Sequence, residues 1–140
     1  MARLSWRVFL CVLGGLARDL YWIGVNAAYR VHTTLGPGLL ESVYEAALAY
    51  ELEKRGLRII RQQTIPVVYE TVHILTGFHA DLVEDKVIVE IKALESIAPV
   101  HKEPLLTYLK LADKRLGLLN NCNVTLIKDD ITRIVNGLNE

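Results

Sequence analysis

Two adjacent segments of the chain carry side chains that can bind metal or move protons, His79 and Asp81 on the first, Glu90 and Lys92 on the second. If Glu84-Asp85 is a two-residue hairpin loop, all four share one face of the paired strands, because side chains alternate along a strand. In this register Asp81 and Glu90 are diagonal neighbours. This register predicts the cross-strand pairs Asp81 with Ile88 and His79 with Glu90 on the polar face. On the apolar face it predicts Leu82 with Val87, Ala80 with Val89 and Phe78 with Ile91.

Two carboxylates and a lysine on one strand face predict a divalent-metal site. Like charges repel, and a partly buried acid is unstable unless positive charge compensates it. Mg²⁺ or Mn²⁺ would supply this charge, since one or two carboxylates and a substrate phosphate suffice to hold such hard cations. Lys92 would orient the attacking water or stabilise charge on a phosphate. The alternative is a solvent-facing strand with charges on its wet side, and an odd-length loop would place Asp81 on the face opposite Glu90.

Hydrophobic spacing places this hairpin in an α/β domain. Two helices are predicted over residues 17–34 and 39–55, because Leu35-Gly36-Pro37-Gly38 between them stops the first. A later helix is expected from Pro104, in its first turn, to residue 112. The predicted strands are residues 58–61, 65–69, 74–83, 86–94 and 116–119, and the amphipathic tail from Ile131 to Leu138 is either a short helix or a last strand. The sequence therefore predicts a central mixed sheet with helices packed on it.

The composition indicates one globular domain that carries no overall charge. Of its 140 residues, 51% are apolar and 23% are charged, which excludes a disordered chain. Sixteen basic and sixteen acidic residues cancel, so nucleic acid would be bound at a local site and not by bulk attraction. Cys11 and Cys122 form neither a disulfide framework nor a zinc motif, which favours a reducing cytoplasm.

The amino end is atypical. Arg3 and Arg7 precede an apolar run that is typical of a signal peptide. The alternative, which we favour, is an appended helix or an over-long start on an intracellular protein. No run reaches the length of a membrane-spanning helix, so no membrane is expected among the partners. We therefore divide the chain into an apolar segment, residues 1–17, and a domain, residues 18–140.

Several short motifs, in order, resemble the GxxExxY protein family. Gly38, Glu41 and Tyr44 occupy the three positions that give the family its name. The other matching segments are Ala80–Leu82, Val89–Ala93, Leu105–Lys110, Leu116–Leu119 and Ile134–Asn136. The likeness extends from residue 20 to residue 140 and rests on several motifs, so it is specific. This family is assigned to the PD-(D/E)XK nuclease-like superfamily.

The resemblance implies a restriction-endonuclease-like αβββαβ core and a nuclease that depends on Mg²⁺ or Mn²⁺. It implies that Asp81 and Glu90 bind the metal and that Lys92 is the catalytic lysine. Glu41, in the first core helix, would be a further acidic site residue. The implied partner is nucleic acid, DNA rather than RNA, contacted through its backbone without reading its sequence.

The two helix residues of the motif also have structural alternatives. Glu41 lies near the third position of its helix, where the helix dipole favours an acid whatever its function. Tyr44 lies one turn further on the same face and is either a substrate contact or a core aromatic.

Three more residues are candidate substrate contacts. His79 stands where the family usually has a basic residue. We expect it either to contact phosphate or metal, or to be an ordinary cross-strand partner of Glu90, which we favour. His101 falls where the family tends to carry histidine, with a loop role and a site role both open. Tyr108 matches the tyrosine of the second core helix.

Two other classes of function remain open. A catalytically degenerate nuclease fold would bind nucleic acid or a protein partner, and two observations favour it: the neutral charge, and Pro104 where the family usually has glutamine. The spacing from Asp81 to Glu90 is also one residue shorter than the resemblance leads us to expect. A purely structural domain would form homo-oligomers through the apolar segment, residues 1–17.

Overall fold

The computed structural model describes residues 17–75, 79–124 and 131–137. The signal-peptide pattern and the predicted pair of Phe78 with Ile91 rest on residues outside these ranges. The described helices are α1 (Ala17–Leu35), α2 (Glu41–Lys54) and α3 (Pro99–Leu111). The strands are β1 (Ile59–Thr64), β2 (Val67–Tyr69), β3 (Val72–Ile74), β4 (His79–Val83), β5 (Val87–Lys92), β6 (Leu116–Asn121) and β7 (Ile131–Val135).

Five strands form a mixed sheet in the order β1-β4-β5-β6-β7, in which β5 and β6 run parallel and the other neighbours run antiparallel. The parallel pair is joined through α3, as a parallel connection requires. Strands β2 and β3 form a separate hairpin. The predicted α/β class with a central mixed sheet is confirmed, and Ile131–Val135 of the amphipathic tail form a strand.

Helices cover both faces of the central strands. On one face, residues of α1 and α2 pack with Val83, Val87 and Val89 in the larger core cluster. On the other face, Leu105 and Leu109 of α3 pack with a smaller cluster that contains Ile88. Because β4 and β5 are apolar on both faces, alternation of apolar and polar residues does not specify which residues pair.

The predicted register of the β4–β5 hairpin is wrong by one residue. Glu84 and Asp85 do form a tight turn, with positive φ angles of 50° and 57° and a hydrogen bond from the Lys86 amide to the Val83 carbonyl, 3.0 Å. Lys86, however, is an extra residue in the connection, which therefore has three residues. The observed pairs are Val83 with Val87, Leu82 with Ile88 and Asp81 with Val89.

Two predicted helix starts also differ from the structure. Helix α3 begins at Pro99 and not at Pro104, because Pro99 takes the first-turn position that suits proline. Pro104 lies inside the helix with its ring exposed. Helix α2 begins at Glu41, which is its first residue and not its third. Among the described helices, none combines the length and the apolar character needed to cross a bilayer.

Candidate active site

A cavity of about 310 Å³ lies where β4 and β5 stop pairing with each other. Beyond the pair of Asp81 with Val89, β4 continues beside β1, and Glu90–Lys92 of β5 continue beside β6. The amino-terminal turn of α2 closes one side. The lining includes Glu41, Ser42, Glu45, Gln62, His79, Asp81, Glu90 and Lys92. The cavity thus brings together all four predicted metal-site and catalytic residues.

Asp81 is a buried acid on the side of the sheet that faces α2. Its side chain is buried with a residue exposure of 6%, and its Oδ1 accepts a 2.8 Å hydrogen bond from the backbone amide of Gln62. Burial raises the pKa of Asp81 to about 6. The Gln62 amide opposes this rise, whereas the neighbouring Glu45 carboxylate adds to it. The charged form of Asp81 is therefore destabilised in this site, and a nearby positive charge would stabilise it.

Glu90 and Lys92 form an ion pair on the opposite side, facing α3. Lys92 Nζ lies 3.3 Å from Glu90 Oε1, and both side chains are partly buried. Among the described residues, no hydrogen-bond partner reaches the buried Glu90 Oε2. Burial raises the pKa of the Tyr108 phenol, the negative charge of Glu90 adds to the rise, and Lys92 opposes it. Tyr108 therefore lies within electrostatic reach of this ion pair.

The carboxyl end of β5, which carries Lys92, is fixed by β6. The Cys122 amide donates to the Lys92 carbonyl at 2.8 Å. The buried Asn121 side chain accepts from the Leu94 amide at 2.9 Å and donates to the Leu94 carbonyl at 3.0 Å. Glu41 reaches the same segment, with Oε1 accepting from the Ala93 amide at 3.1 Å. The end of β5 is thus held from two sides.

A comparison with protein-family profiles matches residues 19–134 to the PD-(D/E)XK nuclease superfamily. The chain belongs to this superfamily. A search of curated proteins and a search of solved structures gave no match. The order α2-β1-β4-β5-α3-β6 is that of the αβββαβ core implied by the resemblance, so the predicted restriction-endonuclease-like fold is confirmed. The likeness to the GxxExxY family within the superfamily stays a prediction.

Nucleases of this superfamily typically use divalent metals, and the donor chemistry of the cavity fits such an ion. The lining holds four carboxylates and one lysine, so negative charge is in excess. The buried Asp81 carboxylate and Glu90 Oε2, which has no hydrogen-bond partner in the described part of the chain, are the hard oxygen donors that Mg²⁺ and Mn²⁺ prefer. Within the described ranges, no group of three or more His, Cys, Asp or Glu side chains forms a complete protein-made site. Waters and a substrate phosphate would have to complete the coordination.

The three remaining predicted contacts lie in different surroundings. Exposed His79 lines the cavity, but it pairs with Thr64 of β1, and the predicted pair with Glu90 is wrong. The Tyr44 hydroxyl donates to the Gly36 carbonyl and accepts from the Leu39 amide at 3.3 Å, and its side chain is fully buried, which favours its core alternative.

His101 caps α3. Its Nδ1 accepts a 2.8 Å hydrogen bond from the Ala98 amide, and its own amide donates to the Ala98 carbonyl at 2.9 Å. These two bonds close the first turn of the helix in the manner of a capping box. This arrangement favours the loop role, and contacts of Tyr44, His79, His101 and Tyr108 with substrate stay predictions.

Three polar residues of the cavity lining were not anticipated from the sequence: Ser42, Glu45 and Gln62. Glu45 lies one turn after Glu41 on α2, and this i, i+4 spacing is the signal that could have indicated it. Gln62 reaches the cavity through an irregularity of β1, which has no sequence signature because Gln62 is not a glycine. The Gln62 amide donates to the Asp81 carboxylate, and Glu45 accepts from the Gln62 side chain and raises the pKa of Asp81.

Proposed function

We propose that the protein is a Mg²⁺-dependent or Mn²⁺-dependent nuclease that hydrolyses phosphodiester bonds, in DNA rather than in RNA. The observation that carries the proposal is the convergence of Asp81, Glu90 and Lys92 on one cavity of a chain that belongs to a nuclease superfamily. Metal-site and catalytic roles for these residues, and a supporting role for Glu41, belong to this proposal.

In this proposal Asp81 and Glu90 hold the ion, which when bound supplies Lewis-acid stabilisation of the phosphate. Glu41 fixes the end of β5 through the Ala93 amide, and so supports the geometry of the acids. Lys92, next to Glu90, places a positive charge where charge develops on the phosphate and orients the attacking water. Tyr108 lies beside this pair on α3 and would contact the substrate from that side.

Nucleic acid would be held locally. The chain has no net charge and the cavity itself is acidic, so the metal and Lys92 would supply most of the attraction for phosphate at the site. Exposed His79 at the cavity is available to contact the backbone. Contacts of this kind position a nucleic acid without specifying its sequence.

A cleavage assay tests this function. Single-stranded and double-stranded DNA, and matched RNA, are incubated with the full chain and Mg²⁺ or Mn²⁺. We expect cleavage that is lost with EDTA, restored by excess metal, and abolished by Asp81→Ala and by Glu90→Ala. Asp113→Ala, at an exposed turn away from the cavity, is the matched control and should keep full activity. Cleavage that persists in both site variants would refute the assignment.

A second candidate is a catalytically degenerate module that binds nucleic acid or a protein partner. The observation that favours it is the register of the hairpin, which directs Asp81 and Glu90 to opposite faces of the sheet. This function predicts DNA binding that is independent of metal and survives Glu90→Ala, with no cleavage under any metal condition.

Three further assignments are part of the proposal. The nuclease domain comprises residues 18–140, with residues 1–17 appended to it, and the protein acts in the cytoplasm. Homo-oligomers, if they form, use the apolar amino segment. Light scattering with and without residues 1–17 checks the last point, because unchanged mass on truncation counts against it.

A further inference from the structure

An irregularity of β1 lies directly opposite Asp81. The pairs on either side are Ile60 with Leu82 and Gln63 with Ala80, so Arg61 and Gln62 together face the single residue Asp81. This is a β-bulge. Gln62 has a φ of 54°, a left-handed conformation that is unfavourable for a residue other than glycine, and such conformations persist only where the surroundings enforce them.

Glu45 is the residue that holds both bulge side chains. Its Oε1 accepts from Arg61 Nε at 3.0 Å, and its Oε2 accepts from Gln62 Nε2 at 2.7 Å. The backbone amide of Gln62, turned by the bulge, then donates to Asp81 Oδ1 at 2.8 Å. A continuous set of hydrogen bonds thus runs from α2 through the bulge to the Asp81 carboxylate.

We propose that Glu45 and the Arg61–Gln62 bulge are positioning residues that fix the orientation of the Asp81 carboxylate. Glu45 acts on Asp81 directly through its charge, which raises the pKa of Asp81. Its effect on the orientation of the Asp81 carboxylate is transmitted through the bulge, because both Glu45 oxygens bind bulge side chains and the Gln62 amide binds Asp81 Oδ1. With Oδ1 bound to this amide, the Asp81 carboxylate has one oxygen fixed by the protein before any ligand arrives. The metal-binding role of Asp81 in this inference rests on the proposed function, whereas the contacts that orient its carboxylate are made within the chain itself.

Partners that orient a metal ligand typically contribute 10-fold to 100-fold to metal affinity. The expected effect of removing Glu45 is therefore a loss of about tenfold in Mn²⁺ affinity, with the fold intact. The matched control is Glu51→Ala. Glu51 lies on the same helix, and its side chain is 16% exposed, against 18% for Glu45. Each substitution removes one ion pair with an arginine, Arg55 for Glu51 and Arg61 for Glu45.

The first readout needs neither metal nor substrate. Hydrogen exchange of the Gln62 amide, followed by NMR on the full chain, reports whether its bond to Asp81 is formed. We expect exchange about tenfold faster in Glu45→Ala and in Asp81→Ala than in the wild-type chain and Glu51→Ala, which is the effect of losing one hydrogen bond. Unchanged protection of Gln62 in Glu45→Ala would overturn the inference.

Should Glu45→Ala not fold, Glu45→Gln applies the same test. It keeps the side-chain volume and one carbonyl acceptor but loses the second acceptor, so it should accelerate exchange in the same direction by a smaller factor. No acceleration in Glu45→Gln would overturn the inference in that case.

The second readout is Mn²⁺ affinity by calorimetry on the wild-type chain, Glu45→Ala and Glu51→Ala, and unchanged affinity in Glu45→Ala would overturn the inference. A double variant, Glu45→Ala/Asp81→Ala, lacks the acceptor of the Gln62 amide, so its Gln62 amide should exchange no faster than that of Asp81→Ala alone. Additive accelerations of exchange would show that Glu45 acts by another route and would overturn the inference. If the wild-type chain binds no Mn²⁺ with or without DNA, the proposed function fails, and the exchange readout alone decides the positioning role.

Discussion

Asp81 and Glu90 leave the sheet on opposite faces and yet line the same cavity. Asp81 pairs with Val89, so Glu90, one residue further along β5, points to the other side. The β4–β5 pairing ends at this point, and the cavity opens between the two strands. Each acid accordingly has its own surroundings: Asp81 contacts the β1 bulge, and Glu90 contacts Lys92. The candidate site is assembled from both layers of the domain.

Asp81→Asn is expected to stabilise the metal-free protein at neutral pH. The folded-state pKa of Asp81 is about 6, above the value near 4 of an unfolded chain. Between these values the folded state binds more protons than the unfolded state, so the unfolding free energy falls as pH rises from about 4 to about 6. This loss is of order 2 kcal/mol. Asparagine carries no charge to desolvate and can still accept from the Gln62 amide.

Urea unfolding in EDTA at pH 4 and pH 7 measures this effect. The stability difference between Asp81→Asn and the wild-type chain should grow by about 2 kcal/mol between the two pH values. Asp113→Asn, at a side chain that is almost fully exposed, should show no such growth. A difference that is constant with pH, or that shrinks as pH rises, would contradict the burial of a charged Asp81.

Lys92→Met is expected to lower kcat on DNA by about 10²-fold to 10³-fold, the effect of removing one charge-stabilising donor. Methionine keeps much of the apolar stem but removes the ammonium that lies 3.3 Å from Glu90 Oε1. Mn²⁺ affinity should not fall, because the Lys92 ammonium and a metal ion compete for the Glu90 carboxylate. Steady-state cleavage kinetics and calorimetry measure the two quantities. Lys54→Met, exposed at the end of α2, is the control, and an unchanged kcat in Lys92→Met would exclude a catalytic role.

Tyr44→Phe is expected to lower stability without lowering activity. The hydroxyl bonds to Gly36 and Leu39 in the α1–α2 connection, and its loss removes two hydrogen bonds, each worth about 0.5–1.5 kcal/mol. Activity per folded molecule should stay within about twofold, because these hydrogen bonds lie outside the cavity lining. Tyr50→Phe, exposed on the same helix, is the control for unfolding measurements. A large fall in kcat with unchanged stability would instead support a substrate contact.

Most elements could be predicted from the sequence, but β3, which was merged with β4 into one predicted strand over residues 74–83, and the register of the central hairpin could not. Glycine and proline between Leu35 and Gly38 marked the end of α1, and Glu84-Asp85 marked the turn. The extra residue, Lys86, was not predictable because either register of β4 and β5 buries apolar side chains on both faces. The start of α3 was misplaced because two prolines, Pro99 and Pro104, both suit a first turn.

For the site, sequence reasoning found residues that lie on regular elements and missed those that depend on tertiary structure. Asp81, Glu90 and Lys92 follow from a strand motif, and the structure places all three at the cavity. Gln62 reaches Asp81 through a positive φ at a bulge that forms only when β1 pairs with β4. Glu45 was visible only as a second acid one helical turn after Glu41, which is an ordinary surface pattern.

Calorimetric titration with Mn²⁺ tests the central claim most directly. The wild-type chain, Asp81→Ala and Glu90→Ala are titrated with Mn²⁺ alone and then in the presence of DNA, so that phosphate can complete the coordination. We predict binding by the wild-type chain that both variants lose, with Asp113→Ala unchanged. The absence of Mn²⁺ binding by the wild-type chain even with DNA, or binding that survives in both variants, would contradict a metal-dependent site at Asp81 and Glu90.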